Sequence, residues 1–289
     1  MFSPMWSFAG LTSPQSDFPS SKVVILPVPY DGTTEWHSGT REGPKSIIEA
    51  SVYLEWYDIE LEREICEIGI HTLPELEPSV NCASDTIERV YKATKDLLDK
   101  AKFVVTLGGE HSITAGAVRA YSEKYNNFCV LQLDAHTDLR DQYQGSKFSH
   151  ACVMRRVIDI CPIVQVGIRS MSLEEKQFIT SRGLQPFLLS ESSPHSIPVK
   201  EIDKSLSDNV YISIDMDVFD PSIMPAVGTP EPGGLSWDEV LNLLKSISLH
   251  KNIIGFDIVE LCPNQGPSSC SFTAAKLAYK LIGYSFYNK

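Results

Sequence analysis

Short, almost continuously apolar runs recur along the chain, at Val23-Val24-Ile25-Leu26, Phe103-Val104-Val105-Thr106-Leu107, Phe128-Cys129-Val130-Leu131-Gln132-Leu133, 163–168, 209–214 and 253–260. Runs that stay apolar instead of alternating fit strands buried on both faces. Stretches of helical period separate them. These cover 45–50, 84–100 (with Ile87, Val90, Tyr91, Leu97 and Leu98 on one face), 113–122, roughly 150–160, 237–247 and roughly 269–284. Pro44 suits a first helical turn, Asp85 or Ser84 the N-cap of the second helix, and Ser236 the N-cap before Trp237. Phe272, Ala275, Leu277, Ala278 and Leu281 would pack the last helix on the sheet.

Strands alternating with helices predict an α/β fold, a three-layer α-β-α sandwich around a mostly parallel sheet. At 289 residues a single domain is the preferred reading. Residues 1–21, rich in Ser, Pro and aromatics, read as an arm lying on the body or on a neighbouring subunit. From 171 to 204 the pattern suggests helix, short strand and loop, with His195 as a surface residue in a Ser/Pro-rich stretch.

The strand ends carry the chemistry. After the third apolar run comes Asp134-Ala135-His136-Thr137-Asp138, and a strand period of two carried into it would send Asp134, His136 and Asp138 to one side. Asp215 and Asp217 follow the 209–214 run, where the same period would align them. His111 follows the glycine turn Gly108-Gly109-Glu110, at the carboxyl end of a strand, where open α/β sheets build their sites. Neither a P-loop nor a dinucleotide glycine pattern is present. Four carboxylates gathered with two imidazoles would repel one another unless they bind cations. Six ligands suit two ions sharing bridging aspartates, held roughly 3.5–4 Å apart with a water between them. Oxygen-rich ligation with imidazole and no thiolate favours two Mn²⁺ over Zn²⁺, with Mg²⁺ as an alternative. Asp220, in an Asp-Pro step, reads as turn chemistry. His37 and Trp36 read as loop residues with packing duties, and the loop 222–234 as a cleft wall.

Composition narrows the partners. A formal net charge of −12 disfavours nucleic acid or an anionic membrane and would welcome a cationic substrate. No apolar run is long enough to span a bilayer. The start Met1-Phe2-Ser3-Pro4-Met5-Trp6 lacks the basic residues and apolar core of a secretory signal, so a cytoplasmic location is expected. Seven scattered cysteines without a C-x-x-C pair read as reduced thiols.

Together, Gly108-Gly109-Glu110-His111-Ser112, Asp134-Ala135-His136-Thr137-Asp138 and Ser213-Ile214-Asp215-Met216-Asp217-Val218-Phe219-Asp220-Pro221 resemble the ureohydrolase family, the arginases and agmatinases. The resemblance spans most of the chain. It implies that His111, Asp134, Asp138 and Asp215 hold one manganese and Asp134, His136, Asp215 and Asp217 the other. A metal-bridging hydroxide would attack a guanidinium, with Asp138 passing a proton to the leaving nitrogen. Glu260 matches the family glutamate that pairs with the guanidinium, and His150 its proton-shuttling histidine. The loop 139–149 resembles the agmatinase form, as does Glu110 in place of the arginases' aspartate. Agmatine, a small cation, is therefore the expected substrate, with its free amine received by Asp141. Arg140 offers an opposing option, a pair with the carboxylate of guanidinobutyrate, and guanidinopropionate, formiminoglutamate and arginine are the other family substrates. Two rivals from other classes are a single-zinc deacetylase-like amidohydrolase and a non-catalytic homologue. The family also implies a trimeric or hexameric homo-oligomer.

Overall fold

The computed structural model describes residues 6–189 and 197–287, so His195 lies outside the described residues. The strands are β1 Val23–Val28, β2 Tyr57–Asp58, β3 Arg63–Glu64, β4 Ile70–Thr72, β5 Phe103–Gly108, β6 Phe128–Leu133, β7 Ile163–Ile168, β8 Phe187–Leu188, β9 Asn209–Asp215 and β10 Asn252–Val259. The α-helices are α1 Gly43–Ser51, α2 Ala83–Asp99, α3 Thr114–Lys124, α4 Val153–Val157, α5 Leu173–Arg182, α6 Val199–Ser205, α7 Trp237–His250 and α8 Ser269–Tyr287. Eight strands form one sheet in the order β4-β1-β5-β10-β9-β6-β7-β8, every pair parallel. Only β2 and β3 pair antiparallel, as a separate two-stranded unit.

Alternation along the buried strands divides the core in two. Val23, Ile25, Val105, Leu131, Ile212 and Phe256 face a layer supplied by α1, α6, α7 and α8. Val24, Leu26, Val104, Val130 and Tyr211 face the other, supplied by α2, α3, α4 and α5. This is the expected three-layer α/β sandwich.

Topology then fixes where a site can form. After β5 the chain skips two sheet positions to β6, builds outward through β7 and β8, and returns to fill the gap with β9 and β10. Parallel strands that diverge this way leave a crevice beyond their carboxyl ends. Residues 109–111, 134–138, 215–217 and 260 all emerge there.

Several local expectations change. The N-cap of α2 is Cys82, ahead of both Ser84 and Asp85, which fall inside the first helical turn. The helix expected over 150–160 is a 3-10 turn, His150–Cys152, followed by the single-turn α4. Phe272 points outward at 42% exposure, while Ala274, Ala275, Leu277 and Ala278 make the packing face of α8. Ser236 does cap α7: it accepts from the Glu239 amide while the Glu239 carboxylate accepts from the Ser236 amide. The described part of the N-terminal arm lies on the chain's own body. Phe8 is fully buried, the Phe8 amide donates to Thr72 Oγ1, the Ala9 amide donates to Ser51 Oγ, and Trp56 Nε1 donates to the Ala9 carbonyl.

Candidate metal centre and cleft

Convergence at the crevice comes from turns rather than from strand alternation. β6 ends at Leu133, and Asp138 sits at φ 52°, in the left-handed region, well outside strand geometry. Likewise Asp215 ends β9, but Asp217 belongs to a 3-10 turn, Met216–Val218, whose Asp217 amide donates to Asp215 Oδ1 at 2.9 Å. Glu260, just past β10, has φ 63°. Backbone held in such regions costs on the order of 1–3 kcal/mol per residue and persists where surrounding contacts enforce it.

Those contacts are visible around Asp138. Glu175 is buried; its Oε1 accepts from Thr137 Oγ1 at 2.7 Å and from the Leu139 amide at 3.0 Å, bracketing Asp138 on both sides. Its other oxygen accepts from the Ser172 amide and hydroxyl, the capping box that starts α5. Asp134 is fixed from below. Gln165 Nε2 donates to Gln132 Oε1 at 2.6 Å and to the Thr137 carbonyl at 2.7 Å, and Gln132 Nε2 donates to Asp134 Oδ2 at 2.5 Å. Gly167, at φ 96°, passes so close that an added Cβ would lie 2.9 Å from the Asp134 carbonyl oxygen.

Two ligand triads share Asp134: His111, Asp134 and Asp215, and Asp134, His136 and Asp217. His111 Nδ1 lies 3.2 Å from Asp134 Oδ2, 3.1 Å from Asp138 Oδ2 and 3.3 Å from Asp215 Oδ2. Yet this nitrogen is buried and makes no well-formed hydrogen bond. Its partner nitrogen explains why. Nε2 lies 2.8 Å from Ser213 Oγ, and Ser213 donates its own proton to Asp257 Oδ1 at 2.7 Å, so Nε2 must be the protonated nitrogen. Nδ1 then offers a lone pair to a point ringed by carboxylate oxygens. Asp257 is itself fully buried, and Oδ2 accepts from Thr114 Oγ1 and from the Tyr211 hydroxyl, each at 2.8 Å. Such outer partners of a ligating histidine fix its tautomer and orientation. On the other side His136 Nδ1 is 2.9 Å from Asp217 Oδ2 and 3.7 Å from Asp134 Oδ1.

Electrostatics match a cation-binding cage. Burial, followed by the neighbouring Asp134 charge, pushes the Asp138 carboxyl up to about 7. Burial and the charges of Asp217 and Asp134 raise Asp215 well above the usual carboxylate range. Asp134 is held low, its burial outweighed by the adjoining imidazoles of His111 and His136. The protein's own groups therefore do not let all these acids ionise together. An orphaned imidazole nitrogen, two triads sharing one aspartate and a nitrogen–oxygen donor set all fit divalent metal.

Above the triads lies a cavity of about 220 Å³. His136, Asp138, Asp215 and Asp217 form its floor, and Glu35, His37, Arg140, Tyr143, His150, Glu175, Gly228, Thr229 and Glu260 are among its walls. Of the sequence-derived site residues, His150 and Glu260 line it as expected. Glu260 Oε1 accepts from the His111 amide at 2.6 Å, and burial together with Glu110 raises its carboxyl well above the ordinary range. The His150 amide donates to Thr33 Oγ1 at 3.0 Å, and burial lowers the imidazole to about 4, which leaves it neutral near pH 7.

Asp141 is a correction. It does not line the cavity, and its carboxylate accepts from Arg156 Nη2 at 2.6 Å instead. His37 is another, since it lines the cavity instead of merely packing in a loop; Trp36 packs against it with the rings tilted by 34° and their centroids 4.2 Å apart, and is 72% exposed. The loop 222–234 does supply a wall, through Gly228 and Thr229. Arg169 ties it down, donating from Nη2 to the carbonyls of Asp217 at 2.7 Å and Glu231 at 3.0 Å. Sequence reasoning missed Glu35, Tyr143, Glu175 and Asp257 as contributors. For Asp257 a signal existed, a carboxylate in the middle of the apolar run Ile253 to Val259.

A parallel sheet with a cation-binding, carboxylate-rich double-ligand site at its switch point defines a metal-dependent hydrolase of the three-layer α/β class. The chain belongs to the arginase family, whose model matches residues 21–283. It is 40% identical over 277 residues to N(1)-aminopropylagmatine ureohydrolase of Synechocystis sp., covering 93% of this chain and 90% of that protein. It is 37% identical to the agmatinase of Pyrococcus horikoshii, covering 94% and 95% of the two chains. Among solved structures it resembles agmatine ureohydrolase of Thermoplasma volcanium, with TM-score 0.84 and 34% identity over 93% of this chain and 92% of that one. The protein is accordingly a ureohydrolase, a hydrolase of guanidino C–N bonds.

Proposed function

We propose that this chain hydrolyses agmatine to putrescine and urea in the cytoplasm, using two manganese ions. His111, Asp134, Asp138 and Asp215 would hold the first ion, and Asp134, His136, Asp215 and Asp217 the second. The observation that carries the substrate reading is the charge of the cleft wall. Apart from Asp138, Asp215 and Asp217, whose charge the ions would balance, it carries three carboxylates, Glu35, Glu175 and Glu260, against one guanidinium, Arg140, which lies over the Tyr143 ring at 4.8 Å. That field suits a substrate with a cation at each end and opposes one with a carboxylate tail.

Bound divalent ions supply water made nucleophilic at neutral pH. The chain supplies orientation and proton traffic. Glu260 spends one oxygen on the His111 amide, leaving the other to receive the guanidinium N–H groups. Water adds to the guanidinium carbon, the bond from that carbon to the alkyl nitrogen breaks, and both protons of the water end on the departing nitrogen, one of them passed by Asp138. Urea and an alkylammonium result. His150, neutral and at the cleft wall, is suited to relay the second proton to the departing amine.

A second reading, N(1)-aminopropylagmatine as substrate, is favoured by the relative from Synechocystis. Urea release by the Mn²⁺-loaded protein from agmatine, N(1)-aminopropylagmatine and 4-guanidinobutyrate separates the readings. Agmatine should give the highest kcat/KM. A higher value for N(1)-aminopropylagmatine establishes the second reading, and a higher value for 4-guanidinobutyrate refutes both. The seven cysteines are all free thiols, consistent with a reducing compartment. A trimeric or hexameric assembly belongs to the same proposal, supported by exposed Tyr53, Tyr57 and Ile59 within one short stretch.

A further inference from the structure

Resting on the amine-tailed substrate just proposed, we infer that Glu35 receives the substrate's distal ammonium and thereby selects amine-tailed guanidines. Of the six carboxylates lining the cleft, five are committed. Asp138, Asp215 and Asp217 belong to the metal cage. Glu260 accepts from the His111 amide beside it, and both oxygens of Glu175 are taken by Thr137, Leu139 and Ser172. Glu35 is the one that is exposed, and its nearness raises the Tyr143 hydroxyl, on the same wall, above the usual phenol range.

The loop that carries Glu35 is braced at both ends. Buried Glu110 accepts from the Thr33 amide at 2.5 Å and from Thr33 Oγ1 at 2.6 Å, two residues before Glu35. Asp31 Oδ2 accepts from the Gly39 amide at 2.9 Å, and Asp31 Oδ1 accepts from Arg41 Nε at 2.5 Å, closing the loop on itself. Thr33 also accepts from the His150 amide, so the same brace that positions Glu35 touches the cleft wall at His150. A carboxylate held in place this way makes a charge-assisted pair with an ammonium at lower ordering cost than one on a free loop. Arg140, resting on Tyr143, would repel a cationic tail, but its Nε lies 3.9 Å from Glu175 Oε2, and that carboxylate offsets the repulsion.

The test compares agmatine with n-butylguanidine, which keeps the guanidinium and the four-carbon chain but lacks the amine. In Glu35→Gln the ratio of kcat/KM for agmatine to that for n-butylguanidine should fall about tenfold, carried by KM. Glu35→Asp should recover part of that ratio, and Glu35→Lys should move preference toward 4-guanidinobutyrate. A general loss of fold would lower both substrates together and leave the ratio in place. A ratio in Glu35→Gln equal to that of the parent, with agmatine still hydrolysed, overturns the role of Glu35. Absence of urea release from either guanidine in the parent protein overturns the functional reading itself.

Discussion

Asp134→Ala is expected to abolish measurable urea release and to reduce bound divalent metal from two ions per chain to fewer than one. Asp134 is the residue common to both triads, so its loss strips a ligand from each ion at once. Its removal also leaves Asp138 and Asp215 facing His111 without the carboxylate that shares that charge. Metal stabilisation of the transition state is worth several kcal/mol, so the expected fall in kcat is on the order of 10³-fold or more. Metal content by mass spectrometry and urea release on the same sample check both parts. Retention of two ions with high activity would contradict the shared-ligand geometry.

Asp257→Asn should produce the second largest effect although Asp257 touches no substrate. The carboxylate accepts from Ser213, Thr114 and Tyr211, and Ser213 in turn accepts from His111 Nε2. An amide presents a donor on one side of that three-donor site, which frees Ser213 to turn and lets His111 adopt the tautomer protonated on Nδ1. The ligand lone pair then points away from the cage. Loss of such an outer partner typically lowers metal affinity or activity about 10–100-fold. Metal titration should show weaker binding at the His111 ion with KM for agmatine changed little, and excess Mn²⁺ should restore part of kcat. An equal fall in stability and metal binding, without rescue by Mn²⁺, would assign Asp257 to the core alone.

The layout of sheet and helices was legible because each strand buried on both faces writes an unbroken apolar run, and each amphipathic helix a period near 3.6. The ligand residues were legible because carboxylates and imidazoles at strand ends have few other reasons to cluster. Their mode of convergence was not legible. Period two extended past Leu133 and Ile214 gathers the clustered residues by the wrong geometry, because the chain turns at once and side chains are aimed by hydrogen bonds to Glu175 and from Gln132 and the Asp217 amide. Glu175 is 36 residues from Leu139 along the chain, Gln132 falls on a strand position where Gln looks ordinary, and the Asp217 amide acts through a local turn.

Specificity was the hardest part to read for the same reason. Asp141 follows the metal motif in sequence, so proximity along the chain recommended it, but Arg156 in α4 claims its carboxylate. Glu35 lies about a hundred residues earlier and reaches the cleft only because Glu110 and Asp31 fold its loop inward. Sequence neighbourhood located the chemistry, whereas tertiary hydrogen bonds decided the substrate wall. His37 shows the same effect, as an unremarkable loop residue that becomes cleft lining once the loop is braced.

Asp134, common to both triads, would let one chain hold two divalent ions and hydrolyse a guanidinium. Counting metal per chain by inductively coupled mass spectrometry on active, Mn²⁺-reconstituted protein tests it most directly. Two ions per chain, with urea release from agmatine rising as the second ion binds, is the expected result. Full activity at one ion per chain would contradict it.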